Sequence, residues 1–289
     1  HPSLPPRETV TPPAWRSPPG GCDCHFHIFG PADRYPLSPH RRYTPEQPAP
    51  VAAYRRVADA LGLTRGVVVQ ASIHGTDNRC TLDATAELGV GYRAIVVIDD
   101  TATAADLAAM HARGARGVRF NVASGGGTPV EQLDAVVRRI APLGWHLQLY
   151  TDPDHLAALA PQLGSLPVPL VLDHMGGARA AEGTASPGFR AMLRLLEGGR
   201  AWVKISGYRA SAGHPYADAP LARALLAAAP ERCVWGTDWP HPSLAADMPD
   251  DGHLFDLLGE WAPDHATRRR VLVDNPAALY GFGAAASGT

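Results

Sequence analysis

The sequence predicts a single (β/α)8 barrel. Three observations carry that prediction. Short β-rich runs and helix-length alanine- and leucine-rich stretches alternate along the 289 residues until eight strands are reached. No glycine-rich phosphate loop follows any strand, although an open doubly wound sheet often carries one. Histidine, arginine and aspartate fall repeatedly at strand C-termini, the end of a barrel where active sites assemble.

Residues 1–20 hold seven prolines and no apolar period, which predicts an extended or disordered arm before a barrel spanning residues 21–289. The strands expected are CDCHFHIF (22–29), GVVVQAS (66–72), YRAIVVID (92–99), GVRFNV (117–122), HLQLY (146–150), PLVLDH (169–174), AWVKISG (201–207) and CVWGTD (233–238). Between them VAAYRRVADALG, TLDATAELG, TAADLAAMHARG, PVEQLDAVVRRIAPLG, PDHLAALAPQLG, FRAMLRLLEGG and PLARALLAAAP carry apolar residues near a 3.6 period, and several stop at glycine. The glycines at 125–127 read as a loop, since no lysine or flanking spacing makes them a phosphate cradle.

The formal net charge is −2 and no block of like charges occurs, so neither nucleic acid nor a membrane surface is an expected partner. The longest apolar runs fall far short of the ~20 residues of a membrane span. Cys22, Cys24, Cys80 and Cys233 form no Cys-x-x-Cys pair and read as reduced thiols of a cytoplasmic protein. The first residues lack the charged-then-apolar pattern of a secretory signal. Alanine-rich outer helices suit either solvent or a second copy of the chain, so a homo-oligomer stays open.

Strand alternation places His25 and His27 on one face with Asp23 below them, and Cys22, Cys24, Phe26 and Ile28 on the other. The other strand ends supply Ser72 with His74 just beyond, Arg119 and Asn121, Tyr150, His174, Arg209, and Asp238 followed by His241. Two arginines near one pocket predict an anionic ligand, because a guanidinium grips a carboxylate through two parallel hydrogen bonds. His146 starts its strand ~13 Å below the mouth and is not expected in the site. His1, His40, His111, His155, His214, His253 and His265 read as solvated groups, and Asp250, Asp251 and Asp274 as structural residues near helix starts.

The strings HFHIFGP, RRYTP, QASIHGTDN, GVRFN, APLGWH, LDHMG, WGTDWPHP, MPDDG and DNPAALY, from about Gly21 to Phe282, resemble the 2-pyrone-4,6-dicarboxylate lactonase group of the amidohydrolase superfamily. That resemblance implies hydrolysis of a small anionic lactone. Asp238 would activate water, His25, His27 and His174 would polarise the ester carbonyl, and Tyr43, Ser72, His74, Arg119, Tyr150, Arg209 and His241 would hold the substrate. It also implies a site without a cofactor. Metal-dependent members add a strand-5 histidine, or a strand-4 lysine in binuclear sites, where this chain has Gln148 and Tyr150, and Arg119 and Asn121. A divalent metal, zinc or manganese, is the alternative, with His25, His27, Asp238 and His174 as its ligands. An arginine that follows the RFN segment in the pyrone lactonase is absent, since Val122 to Thr128 contain no basic residue. The substrate need not be the pyrone dicarboxylate itself. A sugar-acid lactone hydrolase or isomerase, a mononuclear metal-dependent hydrolase or decarboxylase, and a non-catalytic binder of small acids are the competing expectations.

Overall fold

A computed structural model describes residues 1–123, 127–211 and 216–283. His214, Gly125 and Gly126 lie outside the described residues. The eight expected strands are present: β1 (Cys22–Phe26), β2 (Arg65–Val69), β3 (Tyr92–Val96), β4 (Ala115–Asn121), β5 (His146–Tyr150), β6 (Leu170–Leu172), β7 (Ala201–Ile205) and β8 (Cys233–Trp235). All pair in parallel, in chain order. Helices α1 (Val51–Leu61), α2 (Arg79–Leu88), α3 (Ala104–Ala112), α4 (Leu133–Ile140), α5 (Pro153–Gly164), α6 (Pro187–Glu197) and α7 (Ala219–Ala228) separate them. After β8 come α8 (Asp251–Trp261), α9 (His265–Arg269) and α10 (Asn275–Tyr280).

Strand residues alternate between two cores. Val68, Val96, Phe120, Leu149, Leu172 and Val203 face the helices, packing with Leu61, Val136, Phe189 and Leu225. Val67, Val69, Ile95, Val171, Trp202 and Val234 fill the interior with Tyr280 and Phe282. Each large side chain fully buried this way stabilises the fold by about 1.5–3 kcal/mol.

β1 departs from simple alternation. Between Asp23 and Phe26 its pairing with β2 gains one residue, a β-bulge that re-aims the side chains after it. Cys22 and Cys24 lie in the interior cluster, His25 and His27 beyond the bulge still turn inward, and Phe26 stacks on Tyr54 of α1 at 3.5 Å. Asp23 does not sit below the histidines as strict alternation predicts. It accepts hydrogen bonds from the hydroxyls of Tyr54 (3.2 Å) and Thr237 (2.7 Å) and from the backbone N–H groups of His25 and Thr237 (3.0 Å each).

These bonds help close the barrel. Past β8, the Asp238 N–H donates to the His25 carbonyl (2.8 Å) and the His27 N–H to the Trp239 carbonyl (2.7 Å). The approach is close enough that a Cβ on Gly236 would lie 2.7 Å from the Cβ of His25, so the seam admits only glycine there. The Trp239–Pro240 peptide that follows is cis.

The arm is strapped to the barrel. Pro2–Ser3 pairs in parallel with Thr44–Pro45. Thr11 donates to Asp250, which also caps α8 through the Gly252 N–H, and Trp15 stacks on Phe255 at 4.1 Å. All four cysteines are buried and free. No described helix is long and apolar enough to cross a membrane.

Removing the Asp23 carboxylate would leave four buried donors without partners, at roughly 1–3 kcal/mol for each that stays unsatisfied. Asp23→Ala should lower the unfolding free energy by about 3 kcal/mol or more, measured by urea unfolding under tryptophan fluorescence. A loss under about 1 kcal/mol would show that the seam does not depend on this residue.

Candidate active site

The C-terminal strand ends converge on Asp238. Its Oδ2 takes the Arg209 Nε–H at 2.6 Å and the Tyr208 hydroxyl. Its Oδ1 is buried without a hydrogen-bond partner and faces three imidazole Nε2 atoms, those of His27 at 3.4 Å, His25 at 3.6 Å and His174 at 3.7 Å. Burial pushes the Asp238 carboxyl up; the Arg209 guanidinium outweighs that and holds it well below the usual carboxylate range.

Each imidazole is fixed from behind. His27 Nδ1 lies 2.8 Å from the Val69 carbonyl. A carbonyl only accepts, so this nitrogen carries the proton and the neutral ring turns its Nε2 lone pair toward Asp238. His174 Nδ1 contacts the Ser206 hydroxyl at 2.8 Å. His25 Nε2 is 3.3 Å from His27 Nε2. Burial keeps all three neutral, lowering His174 to about 4 and His25 and His27 below the ordinary histidine value.

A second buried carboxylate, Asp173, lies beneath. It accepts from Arg119 Nε (2.9 Å) and Gln148 Nε2 (3.1 Å) and stands 3.4 Å from the Lys204 ammonium. Burial raises its carboxyl, and His25, Lys204 and Arg119 more than reverse that. Four residues at or beside the mouth hold left-handed backbone without being glycine: His174 (φ 49°), Tyr208 (φ 72°), Asp238 (φ 61°) and Ser243 (φ 68°). Such conformations cost of order 1–3 kcal/mol each and persist where surrounding contacts over-determine them, as the paired side chains here do.

The cavity above encloses about 300 Å³. Of the residues expected from the sequence, His27, His174, Asp238, Tyr43, Ser72, Arg119, Tyr150 and Arg209 line it. His25 lies one layer below. His74 does not reach it: Ser72–His74 forms a 3-10 turn that aims the ring at the Pro36 carbonyl. His241 does not either. Its backbone is left-handed (φ 61°), its ring meets the edge of Tyr208, and its Nε2 lies 3.2 Å from Asp251. Arg42 and His1, at the rim, do line it. His111, expected in solvent, accepts the Trp145 indole N–H at 2.8 Å. His146 is buried far from the cavity, edge-on to Tyr280, and burial lowers it to about 3.

Tyr208, Asp173 and Lys204 were not singled out from the sequence, and Gln148 was named only as standing where metal-dependent relatives have a histidine. The signal was present for three of them, as polar residues in the middle or at the end of apolar strands: LVLD, HLQLY and WVKIS.

Ligand atoms of His25, His27 and Asp238 lie within 4.8 Å of one another, as do those of His25, Asp173 and His174. Residue types, spacing and the orphaned Asp238 Oδ1 fit a divalent metal, so the site can hold one.

The amidohydrolase family model matches residues 22–282. The chain is 41% identical to a 4-sulfomuconolactone hydrolase of Hydrogenophaga intermedia, over 96% of this chain and 94% of that one. It is 38% identical to a 2-pyrone-4,6-dicarboxylate hydrolase of Comamonas testosteroni, over 93% and 92%. The crystal structure of a probable 2-pyrone-4,6-dicarboxylic acid hydrolase from Acinetobacter baumannii, with citric acid bound, superposes with a TM-score of 0.81 at 27% identity, over 91% of this chain and 100% of that one. The same strand-end histidines and aspartate that build the site thus sit in a sequence matched almost from end to end, and the chain belongs to the amidohydrolase family.

Proposed function

We propose that this chain hydrolyses a small carboxylated lactone, without a metal, in the cytoplasm. The observation that carries the reading is Asp238 Oδ1: an ionised, buried carboxylate oxygen with no partner, beneath a cavity rimmed by arginines. Water hydrogen-bonded to Oδ1 attacks the ring carbonyl. Its proton passes to Asp238 as the new C–O bond forms, then to the ring oxygen as the old C–O bond breaks. His174 Nε2 and the free N–H groups of Arg119 stabilise the oxyanion. His27, neutral with its Nδ1–H committed to Val69, and His25 act through Asp238, whose Oδ1 their Nε2 atoms face. A divalent cation, if bound, would be held by His25, His27 and Asp238, with His174 nearby, and would supply Lewis-acid polarisation of the carbonyl.

Charge supports an anionic substrate. Arg42, Arg119 and Arg209 line the cavity against one carboxylate, Asp238, with the Asp173–Lys204 pair beneath, so positive charge is in excess at the mouth. It also opposes a dication. The relatives' names specify a sulfo-substituted lactone and a pyrone dicarboxylate, and the Acinetobacter protein binds citric acid, all anions. Arg42 supplies from the rim a cation that the 122–128 segment lacks. Four buried, unpaired thiols fit the cytoplasm.

The test is a panel of carboxylated lactones and pyrones, assayed before and after chelation with bound metal quantified. Turnover at negligible metal, unchanged by chelator, is expected; activity that leaves and returns with metal overturns the metal-free mechanism. Asp238→Asn should lower kcat by about 10²–10⁴-fold with the fold intact by circular dichroism. Arg42→Ala should raise KM by roughly tenfold for a dianionic lactone and less for a monoanionic one, with kcat little changed. Asp238 is ionised and His174 neutral above about pH 4, so kcat/KM should show no acidic limb above about pH 5; an acidic limb near pH 6.5 would make a neutral histidine, in place of Asp238, the essential base.

A further inference from the structure

The interior of β7 holds a fully buried lysine that the hydrolytic scheme above does not use. Lys204 Nζ lies 2.7 Å from Gln148 Oε1, 3.3 Å from His25 Nδ1 and 3.4 Å from Asp173 Oδ1. An ammonium has three donors and no acceptor; Gln148 Oε1 takes one of them, and the Asp173 carboxylate pairs with the charge without a hydrogen bond. Gln148 is oriented unambiguously, since its Nε2 donates to Asp173 while its Oε1 takes Lys204.

We infer that Lys204 is a positioning residue that holds His25 in its Nε2–H tautomer, so that this nitrogen offers a proton and not a lone pair to the pocket. This tautomer sets the His25 Nδ1 lone pair 3.2 Å from Asp173 Oδ1, a repulsion that the Lys204 ammonium, close to both, offsets. His25 Nε2–H points at His27 Nε2, 3.3 Å away, whose lone pair is free because its own proton sits on Nδ1 against Val69. One ammonium thereby sets the protons of two imidazoles. The competing tautomer places the proton on His25 Nδ1, toward Asp173 Oδ1 at 3.2 Å. It frees Nε2 as a metal ligand but sets N–H against N–H at Lys204. Lys204 thus selects a proton over a dication in the His25–His27–Asp238 cluster. The inference rests on the metal-free reading proposed above and names the residue that enforces it.

The test uses the full-length protein, labelled with ¹⁵N at histidine. Long-range ¹H–¹⁵N spectra report each ring's tautomer, with His25 assigned by its loss in His25→Gln. In the unsubstituted protein, unprotonated Nδ1 and protonated Nε2 are expected for His25; the reverse pattern overturns the inference, whatever the lactone assays show. Lys204→Met keeps an unbranched chain and removes the charge. It should move His25 to the Nδ1–H pattern and, after dialysis against zinc chloride and then buffer, retain roughly one equivalent of zinc that the unsubstituted protein does not. Lys204→Arg should retain the original tautomer and exclude zinc. An unchanged His25 pattern in a folded Lys204→Met protein also overturns the inference. If Lys204→Met does not fold, the spectrum of the unsubstituted protein alone decides. Lactone turnover that proves metal-dependent, with the His25 Nε2–H tautomer still observed in the metal-depleted protein, would sink the proposed mechanism while leaving the assignment of Lys204 standing.

Discussion

Everything in the site hangs on the seam between β1 and the chain beyond β8. Asp238 donates its backbone N–H to the carbonyl of His25, so the carboxylate and the histidine it faces are joined through the backbone before their side chains meet. Gly236 permits that approach, and Asp23 collects donors from both sides of it. A bulge in β1 then brings His25 and His27 into the interior. Without the extra residue both would face the helices, since a one-residue slip reverses every later side chain.

The polar interior is a set of mutual obligations. Two buried carboxylates would be expensive alone, and each is held by more than one donor. Asp238 is fixed at Oδ2 by Arg209 and Tyr208, which leaves Oδ1 turned to the imidazoles. Asp173 is fixed by Arg119 and Gln148, and with Lys204 it forms the layer on which His25 rests. Breaking any one partnership strands another charge, which is how a site of this kind stays rigid enough to aim a single oxygen.

The barrel was legible because its signal is repetitive: eight apolar runs at strand length, separated by 3.6-period stretches, leave few alternatives. Asp238, His27, His174, Arg119, Arg209, Ser72 and Tyr150 were legible because strand ends in this fold point to one mouth; Tyr43, off the barrel strands, came only from the family resemblance. What was not legible depends on single irregularities. Alternation puts Asp23 inward and Cys22 outward, and only the bulge reverses them. His74 and His241 follow strands closely in sequence, yet a 3-10 turn and a left-handed residue carry them past the cavity. Lys204 stood in view at the centre of an apolar strand, where a lone charge has to be either paired or functional.

The arginines show why a structural partner and a ligand partner are not exclusive. Read from sequence, each guanidinium is either a salt bridge or a substrate clamp. In the structure Arg119 gives Nε to Asp173, and Arg209 gives Nε to Asp238 and one terminal nitrogen to the Pro242 carbonyl. A guanidinium has five N–H donors in a rigid plane, so the edge that anchors the side chain also sets the direction of the edge left over. Both side chains line the cavity. Their anchoring to the two buried carboxylates aims the remaining donors while lowering the net charge a substrate must answer. On the reading proposed above, the exposed Arg42 at the rim is the cation offered to a second anionic group of an acid-bearing lactone.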